Sequence, residues 1–597
     1  MQTADTVLNV IQQRGEKGLP LLNRSTYRLL YNPELFQLAY HNLASNKGAM
    51  TKGSTDETAD GMSQAKIASI IEALRYERYD WTPVKRVYIP KSNGKTRPLG
   101  IPTWSDKLLQ EVIRLILEAY YEPRFSTQSH GFRPDRGCHT ALTHIEAAWH
   151  GTKWFIEGDI TGCFDNIDHS VLLDILKRDI HDNRFLILIG NFLRAGYMED
   201  WKLVKNFSGT PQGGVLSPLL SNIYLHELDE YVETELIPQH NRGKQRKQNA
   251  AYVRIYNKRY YWRKKGDYSR DKEFTAEMRS LPTGDQFDPD YRRLRYVRYA
   301  DDFVLGFAGP KEEAIQIKEN LATFLRDNLK LELNQDKTLI THAGTTPAKF
   351  LGYEIIVRKA NDKIANGIRS MNGKLSLRVP KTAIDAYCDK YRHNNKPIAR
   401  PELINDSDFA IINQYGLELR GIVQYYKLAS NAHHLWRLSR FMERSLLKTL
   451  ANKHKSSSRK MKRRFQTVNT TNDGKVLKCL MVVIPREEGK PPLKAMFGGH
   501  SIRRDRRAIP KDFVLKRYFP VRSDLVTRLL ADKCELCNQH GNIEVHHIRA
   551  MRDLNVKGQK EKPEWIRRMA ALRRKTLAVC RQCHHEISHD GSWKPRT

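Results

Sequence analysis

The chain has 597 residues, and its 101 Lys plus Arg against 67 Asp plus Glu leave a formal net charge of +34. That length allows roughly three to five domains with real cores and excludes a small disulfide-stapled scaffold. The charge excess calls for a polyanionic partner, and no apolar run approaches the roughly 20 residues a membrane span needs. The first residues, Met1-Gln2-Thr3-Ala4-Asp5, have neither a basic start nor an apolar stretch, so no secretory signal is expected. Of eight cysteines, Cys138, Cys163, Cys388 and Cys479 are scattered and read as reduced thiols. The other four are grouped near the C-terminus, as metal ligands in a reducing compartment would be.

In chain order, residues 19 to 45 carry Leu29, Leu30, Leu35, Leu38 and Leu43 at mixed three and four spacing, which predicts helix. A polar, Gly-containing loop (45–53), a helix (63–76) and a strand (84–89) follow. The chain then turns at Ser92-Asn93-Gly94-Lys95 into Thr96-Arg97-Pro98, a basic hairpin whose Lys95 and Arg97 are candidates for phosphate binding. Residues 106 to 121 form a strongly amphipathic helix, and a second helix runs through Cys138 to Trp149. The apolar strand 154–160 ends in an acid, Asp159, and a turn through Phe164. Downstream, Gly209-Thr210-Pro211-Gln212-Gly213-Gly214 is a loop whose backbone can approach a base pair closely, and it opens a helix at 219–231.

A basic, Tyr-rich insertion occupies 236–294, including Tyr256, Tyr260, Tyr261 and Trp262 among Arg and Lys. Cations interleaved with aromatics suit single-stranded or looped RNA, with a flexible charged insertion as the alternative. The stretch Tyr299-Ala300-Asp301-Asp302 then reads as a hairpin turn carrying two adjacent carboxylates. Like charges side by side are costly unless a cation sits between them and another acid. Nucleotidyl transfer needs such an arrangement: two Mg²⁺ ions about 3.5–4 Å apart, held by hard oxygen ligands. Asp159, Asp301 and Asp302 are the candidates. A helix near 311–328, the segment around Lys337, a helical block at 375–455, a basic linker at 453–464 and a loosely patterned basic region to about 524 complete this part.

The order and wording of these segments resemble a reverse transcriptase, specifically the proteins encoded by group II introns, from about residue 24 to the end. The resemblance implies that Asp159, Asp301 and Asp302 hold the metal ions and that Phe164 is the aromatic gate that rejects a 2′-hydroxyl. It implies that Pro211, Gln212 and Gly213 check the nascent base pair. Lys95, Arg97 and Arg133 would meet the incoming deoxynucleoside triphosphate, and Lys337 would stand near the active site. The block at 375–455 resembles the thumb, called domain X in maturases, which would grip the intron RNA.

Near the C-terminus, Cys534-x-x-Cys537 and Cys580-x-x-Cys583 have the spacing of one structural tetrahedral Zn²⁺ site. Between and after them stand His546-His547 and His584-His585-Glu586-Ile587-Ser588-His589, a pattern similar to an HNH (ββα-metal) nuclease. The likeness implies His547 as general base and His546 with His584 or His589 as ligands of one divalent ion, expected to be Mg²⁺. The Asn that orients the base in many HNH enzymes has no match beyond Asn555, and which of His584, His585 and His589 bind the ion stays open. A zinc-binding DNA clamp and plain structural histidines are the competing readings.

The expected architecture is multidomain α/β and α: right-hand polymerase fingers and palm (1–370, with the 236–294 insertion), an α-helical thumb (371–455), a basic DNA-binding region (456–525) and a zinc-containing HNH domain (526–597). The expected function is that of a group II intron protein. It would copy RNA into DNA, assist intron splicing and nick target DNA to prime reverse transcription, as a ribonucleoprotein in a bacterial cytoplasm or an organelle. Its partners would be intron RNA, target DNA and deoxynucleoside triphosphates, with no membrane. The rival, an RNA-binding splicing maturase without polymerase activity in vivo, has no use for three converging carboxylates. A free-standing homing endonuclease explains neither Phe164 nor the Gln212 loop.

Overall fold

The computed structural model describes residues 2–590 except 22–24, 47, 91–93, 95, 200–201, 205–208, 210–212, 286–287, 360–363, 366–367, 370–371, 472–473, 487–490, 507–523 and 555–561. Lys95, Pro211, Gln212 and Asn555 therefore lie outside the described residues, as does the side chain of His589.

At the centre is a four-stranded antiparallel sheet in which Arg293–Tyr299, Asp302–Ala308, Trp154–Asp159 and Leu339–His342 lie side by side in that order. Its middle strands are apolar at nearly every position because both faces are covered. Ile156, Phe303, Leu305 and Phe307 enter one core with Ile223 and Leu228 of the helix Ser217–Tyr231 and Ile317 and Leu321 of Lys311–Leu329. The alternate residues Phe155 and Val304 enter the other, with Ala141 and Leu142 of Cys138–Ala148. Gly158 is needed for this packing, since a Cβ there would lie 2.1 Å from the Phe303 ring.

The basic hairpin forms as expected, Val84–Pro90 against Thr96–Ile101, and a second short hairpin, Tyr197–Glu199 with Lys202–Val204, extends it into a four-stranded sheet. A helix not expected from the sequence, Ala4–Glu16, packs along Trp104–Tyr121. The stretch read as one helix over 19–45 is a 3₁₀ turn, Tyr27–Tyr31, and then a helix, Pro33–Ala44. Asn32 caps that helix and Pro33 fits its first turn. The insertion carries two helices, Ala250–Lys264 and Asp271–Ser280, around a core of its own, Ile255, Phe274 and Met278, with Tyr256, Tyr260 and Tyr261 exposed.

The block after residue 375 starts with a strand, Leu375–Arg378, before the helices Lys381–Asp389, Asp408–Tyr425 and Trp436–Lys453. The basic run at 453–464, expected as a linker, carries the helix Ser458–Phe465, whose Met461 and Phe465 face inward one turn apart. A three-stranded sheet follows, Gln466–Thr470, Val476–Ile484 and Leu493–Gly498, and it shares the core of the helices through Leu480, Ala495 and Phe497. Gly416 permits this contact, because a Cβ there would stand 2.1 Å from the Met496 carbonyl oxygen. No helix among the described residues is long and apolar enough to cross a membrane.

The C-terminal unit is built on the strands Ile543–His547 and Thr576–Cys580, followed by the helix Arg581–His585 and a π-turn, Glu586–Asp590. Its sheet has a third member from the other end of the chain, Met62–Ser63, paired with Val545 and Glu544.

Candidate functional site

The hairpin register brings the three acids together. Asp302 opens its strand directly opposite Asp159, the last residue of the neighbouring strand. Asp301 sits on the two-residue turn that joins Tyr299 to Asp302, where Ala300 takes φ of 55°. Burial first, then the charge of Asp159, raises the Asp301 carboxyl, while Arg97 and Lys337 pull it down. Burial and the charges of Asp301 and Asp159 push Asp302 up to about 6. Carboxyls raised by one another are a cluster short of positive charge. Lys337 supplies part of it, with its Nζ 2.8 Å from Asp159 Oδ2, and that bond raises the lysine in turn.

The turn is braced from behind. Arg298 is fully buried and donates to Asp229 at 2.7 and 2.6 Å, to Asn222 Oδ1 at 3.1 Å and to the Ala300 carbonyl at 2.9 Å. Its own carbonyl accepts the His130 N–H at 2.9 Å. Gly131 then passes so close that a Cβ would lie 2.3 Å from the Ala300 nitrogen. None of Arg298, Asp229 and Asn222 stands out in the sequence. The strand Arg293–Tyr299 carries three arginines, and nothing in the sequence marks Arg298 as the buried one.

Phe164 is half-buried on the short helix Cys163–Asn166, entered through Gly162 at φ of 52°, one turn beyond Asp159. Gly213, at φ of 103°, runs against the basic hairpin, where a Cβ would meet the Gly100 carbonyl oxygen at 2.6 Å. Arg97 lies on that hairpin, and its charge reaches Asp301. Arg133 is not placed with them. It is buried, pairs with Glu122 at 2.9 Å and donates to the carbonyls of Ser126 and Ser129 at 2.5 and 2.8 Å. In this structure its guanidinium braces a turn.

In the C-terminal unit Cys534, Cys537, Cys580 and Cys583 each bring a sulfur within 4.8 Å of the others. Cys537 Sγ and Cys580 Sγ are 3.7 Å apart. Thiolates about 2.3 Å from a shared tetrahedral ion stand about 3.8 Å apart, so the set fits a metal. The second such group among the described residues is Asp60, His546 and His584. The acids of the central sheet are not in a group this tight.

His547 is buried, with Nε2 2.7 Å from the Tyr40 hydroxyl and its N–H donating to Asp60 Oδ1 at 2.8 Å. Burial pulls its ring down to about 4. For His584 burial acts in the same direction, but contacts with Asp60 and Glu544 outweigh it and lift the ring to about 9. Burial would raise Asp60, yet His546, His584 and the His547 amide hold it well below the usual carboxylate range. A cavity of about 970 Å³ opens beside His547, lined also by Arg528, Arg549, Arg574 and Lys575 and by His41 and Asn42 of the helix Pro33–Ala44. Tyr40 and Asp60 were missed in the sequence because both sit in the N-terminal segment, nearly 500 or more positions from their partners.

Three family models match the chain: reverse transcriptase (RNA-dependent DNA polymerase) over 89–355, type II intron maturase over 375–481, and an AI2M/AI1M-like HNH endonuclease over 534–584. The putative COX1/OXI3 intron 1 protein of Saccharomyces cerevisiae is 32% identical over 94% of this chain and 69% of its own length. Protein YkfC of Escherichia coli is 36% identical over 56% of this chain and 83% of its own. The group II intron-encoded protein LtrA of Lactococcus lactis subsp. cremoris is 40% identical over 99% of this chain and all of its own length. With three matched families in that order and a relative aligned end to end, the chain belongs to the group II intron-encoded proteins, as an RNA-directed DNA polymerase joined to a maturase and an HNH endonuclease.

Proposed function

We propose that the chemistry divides between the two sites as follows. The central sheet is a polymerase palm, the basic hairpin sheet its fingers and the helical block after residue 380 its thumb. Asp159, Asp301 and Asp302 would hold two Mg²⁺ ions, which when bound activate the primer 3′-hydroxyl and neutralise the leaving group. Arg97 on the hairpin would meet the triphosphate of the incoming deoxynucleotide, a role the family likeness also gives Lys95. Phe164 would lie under its sugar, and the likeness assigns Pro211, Gln212 and Gly213 to checking the base pair. The observation that carries this reading is the register: Asp159 faces Asp302 across one pair of strands, with Asp301 on the adjoining turn.

The nuclease half cuts the primer free. His547 would take the proton of the attacking water, and His546 and His584 would hold a divalent ion that, when bound, supplies charge stabilisation to the phosphate. Arg528, Arg549, Arg574 and Lys575 line the cavity a DNA strand would enter. The four cysteines hold Zn²⁺ as a structural staple. Intron RNA is gripped by the thumb surface and the Tyr-rich insertion, where stacking and phosphate contacts combine.

The test is one coupled reaction. The protein, assembled with its intron RNA, is given labelled target DNA, Mg²⁺ and deoxynucleotides. The expected product is a single-strand nick whose new 3′ end is extended into complementary DNA. Nicked DNA that is never extended, with a folded protein and intact RNA, would overturn the coupling.

A further inference from the structure

The polymerase end of the chain reaches into the nuclease site. Met62 pairs with Val545, and the Gly61 N–H donates to the Val545 carbonyl at 3.0 Å, so the N-terminal segment lies as a strand along Ile543–His547. That docking aims Asp60, the next residue back, at the histidines. Its Oδ1 is 3.1 Å from His584 Nε2 and 3.3 Å from His546 Nδ1.

Three features make this a ligand set rather than a cluster of ion pairs. Both ring nitrogens of His546 are buried with no hydrogen-bond partner, although Asp60 is close, so the contact lacks hydrogen-bond geometry. A buried imidazole with neither nitrogen in a hydrogen bond, and only a charge contact to Asp60, is rare unless something else binds it. His584 has its Nδ1 2.7 Å from Glu544 Oε2, the carboxylate-behind-imidazole arrangement that orients metal-binding histidines and leaves Nε2 for the ion. The spacings also suit a shared ion, since ligands about 2.1 Å from one centre in a tetrahedral array stand about 3.4 Å apart.

We propose that Asp60 is the third protein ligand of the nuclease's divalent ion, so that this metal site is complete only while the nuclease is docked on the N-terminal segment. The inference rests on the reading of His546 and His584 as metal ligands. Two imidazoles and one carboxylate suit Mg²⁺, Mn²⁺ or Zn²⁺ and leave coordination positions for water and a phosphate oxygen. The same segment also holds the base: the Tyr40 hydroxyl at His547 Nε2 takes the place of the orienting Asn that the nuclease sequence lacks. Target cutting is thereby tied to a folded, adjacent polymerase.

Mn²⁺ binding to the full-length, zinc-loaded protein tests this, followed by electron paramagnetic resonance. An Asp301→Asn, Asp302→Asn background keeps the central-sheet acids from contributing a tight ion. One tight site is expected, lost in His584→Ala and weakened about 10- to 100-fold in Asp60→Asn. Asn still accepts the His547 N–H, so docking is kept. Asp60→Glu is expected to recover most of the affinity. Wild-type affinity in Asp60→Asn, with the site lost in His584→Ala, would overturn the role of Asp60 alone. Faster nicking by Asp60→Asn than by the unaltered protein would also overturn it, by making the segment a plug. Unchanged binding in both His546→Ala and His584→Ala would bring down the underlying metal-site reading.

Discussion

The two proposed catalytic centres are assembled in opposite ways. The three acids of the first meet inside one sheet: two sit on facing strand ends and the third on the turn of a tight hairpin, with Lys337 bonded to Asp159. The second cluster is partly buried and joins groups from the two ends of the chain, with Asp60 and His584 524 positions apart and Tyr40 and His547 507 apart. The first centre depends on register within a single element, the second on how one part of the protein lies against another. With both faces of the sheet buried, its register is held by fit, such as Gly158 beneath the Phe303 ring, so the acids are fixed as firmly as the core. The nuclease site is as stable as its docking.

If the centres are separate in chemistry, breaking one should spare the other. Replacing Asp301 and Asp302 by Ala removes ligands worth several kcal/mol of transition-state charge stabilisation, and primer extension on RNA should fall about a thousandfold or more. Nicking of labelled target DNA by the same variant should be unchanged; a parallel loss would mean the comparison is false. His547→Ala gives the converse. Nicking should drop about 10²- to 10⁴-fold, the range of a lost general base, while extension from a pre-nicked primer continues at the normal rate.

The same contrast explains what could be read from the sequence. Asp159, Asp301 and Asp302 were legible because each marks a local pattern, an acid at the end of an apolar strand or in a hairpin turn, and pairing did the rest. The Cys-x-x-Cys knuckles were legible for the same reason, since spacing alone sets their geometry. The pairing of Arg133 with Glu122 was not legible, because a lone arginine in a Gly-Pro turn looks alike whether it faces a phosphate or a carboxylate. Asp60 and Tyr40 carry no local signature at all, and only the pairing of Met62 with Val545 gives them a role. The basic run at 453–464 suggested a linker by composition, but its two apolar residues, Met461 and Phe465, are one helical turn apart and decide its packing.

A smaller effect is expected from the brace behind the acid turn. Arg298→Met leaves Asp229 buried without its cation, holding only the Tyr296 hydroxyl, which should cost about 3–5 kcal/mol in denaturant unfolding. Arg298→Met with Asp229→Leu should regain most of that stability, because replacing a buried pair by apolar groups is often neutral. Extension should stay low in the double variant, since the Ala300 carbonyl still lacks its donor and the turn carrying Asp301 is no longer held. Recovery of both would reduce Arg298 to a packing residue.

The smallest effect tests how open the acid site is. Lys337 is 65% exposed and bonded to Asp159, so solvent screens much of its charge and its loss should be mild. Its two actions oppose each other. As a cation beside the acids it competes with Mg²⁺ for Asp159, and Lys337→Met should lower the Mg²⁺ concentration needed for half-maximal extension by about threefold, roughly what 0.6 kcal/mol of relieved repulsion would give. As a donor near the reacting phosphates it favours the transition state, and the same variant should lose about tenfold in maximal rate at saturating Mg²⁺. A lower Mg²⁺ requirement together with a lower maximal rate can come only from a residue that touches both the ligands and the chemistry. If the Mg²⁺ requirement is unchanged or rises while the maximal rate falls, Lys337 acts through the fold rather than through Asp159.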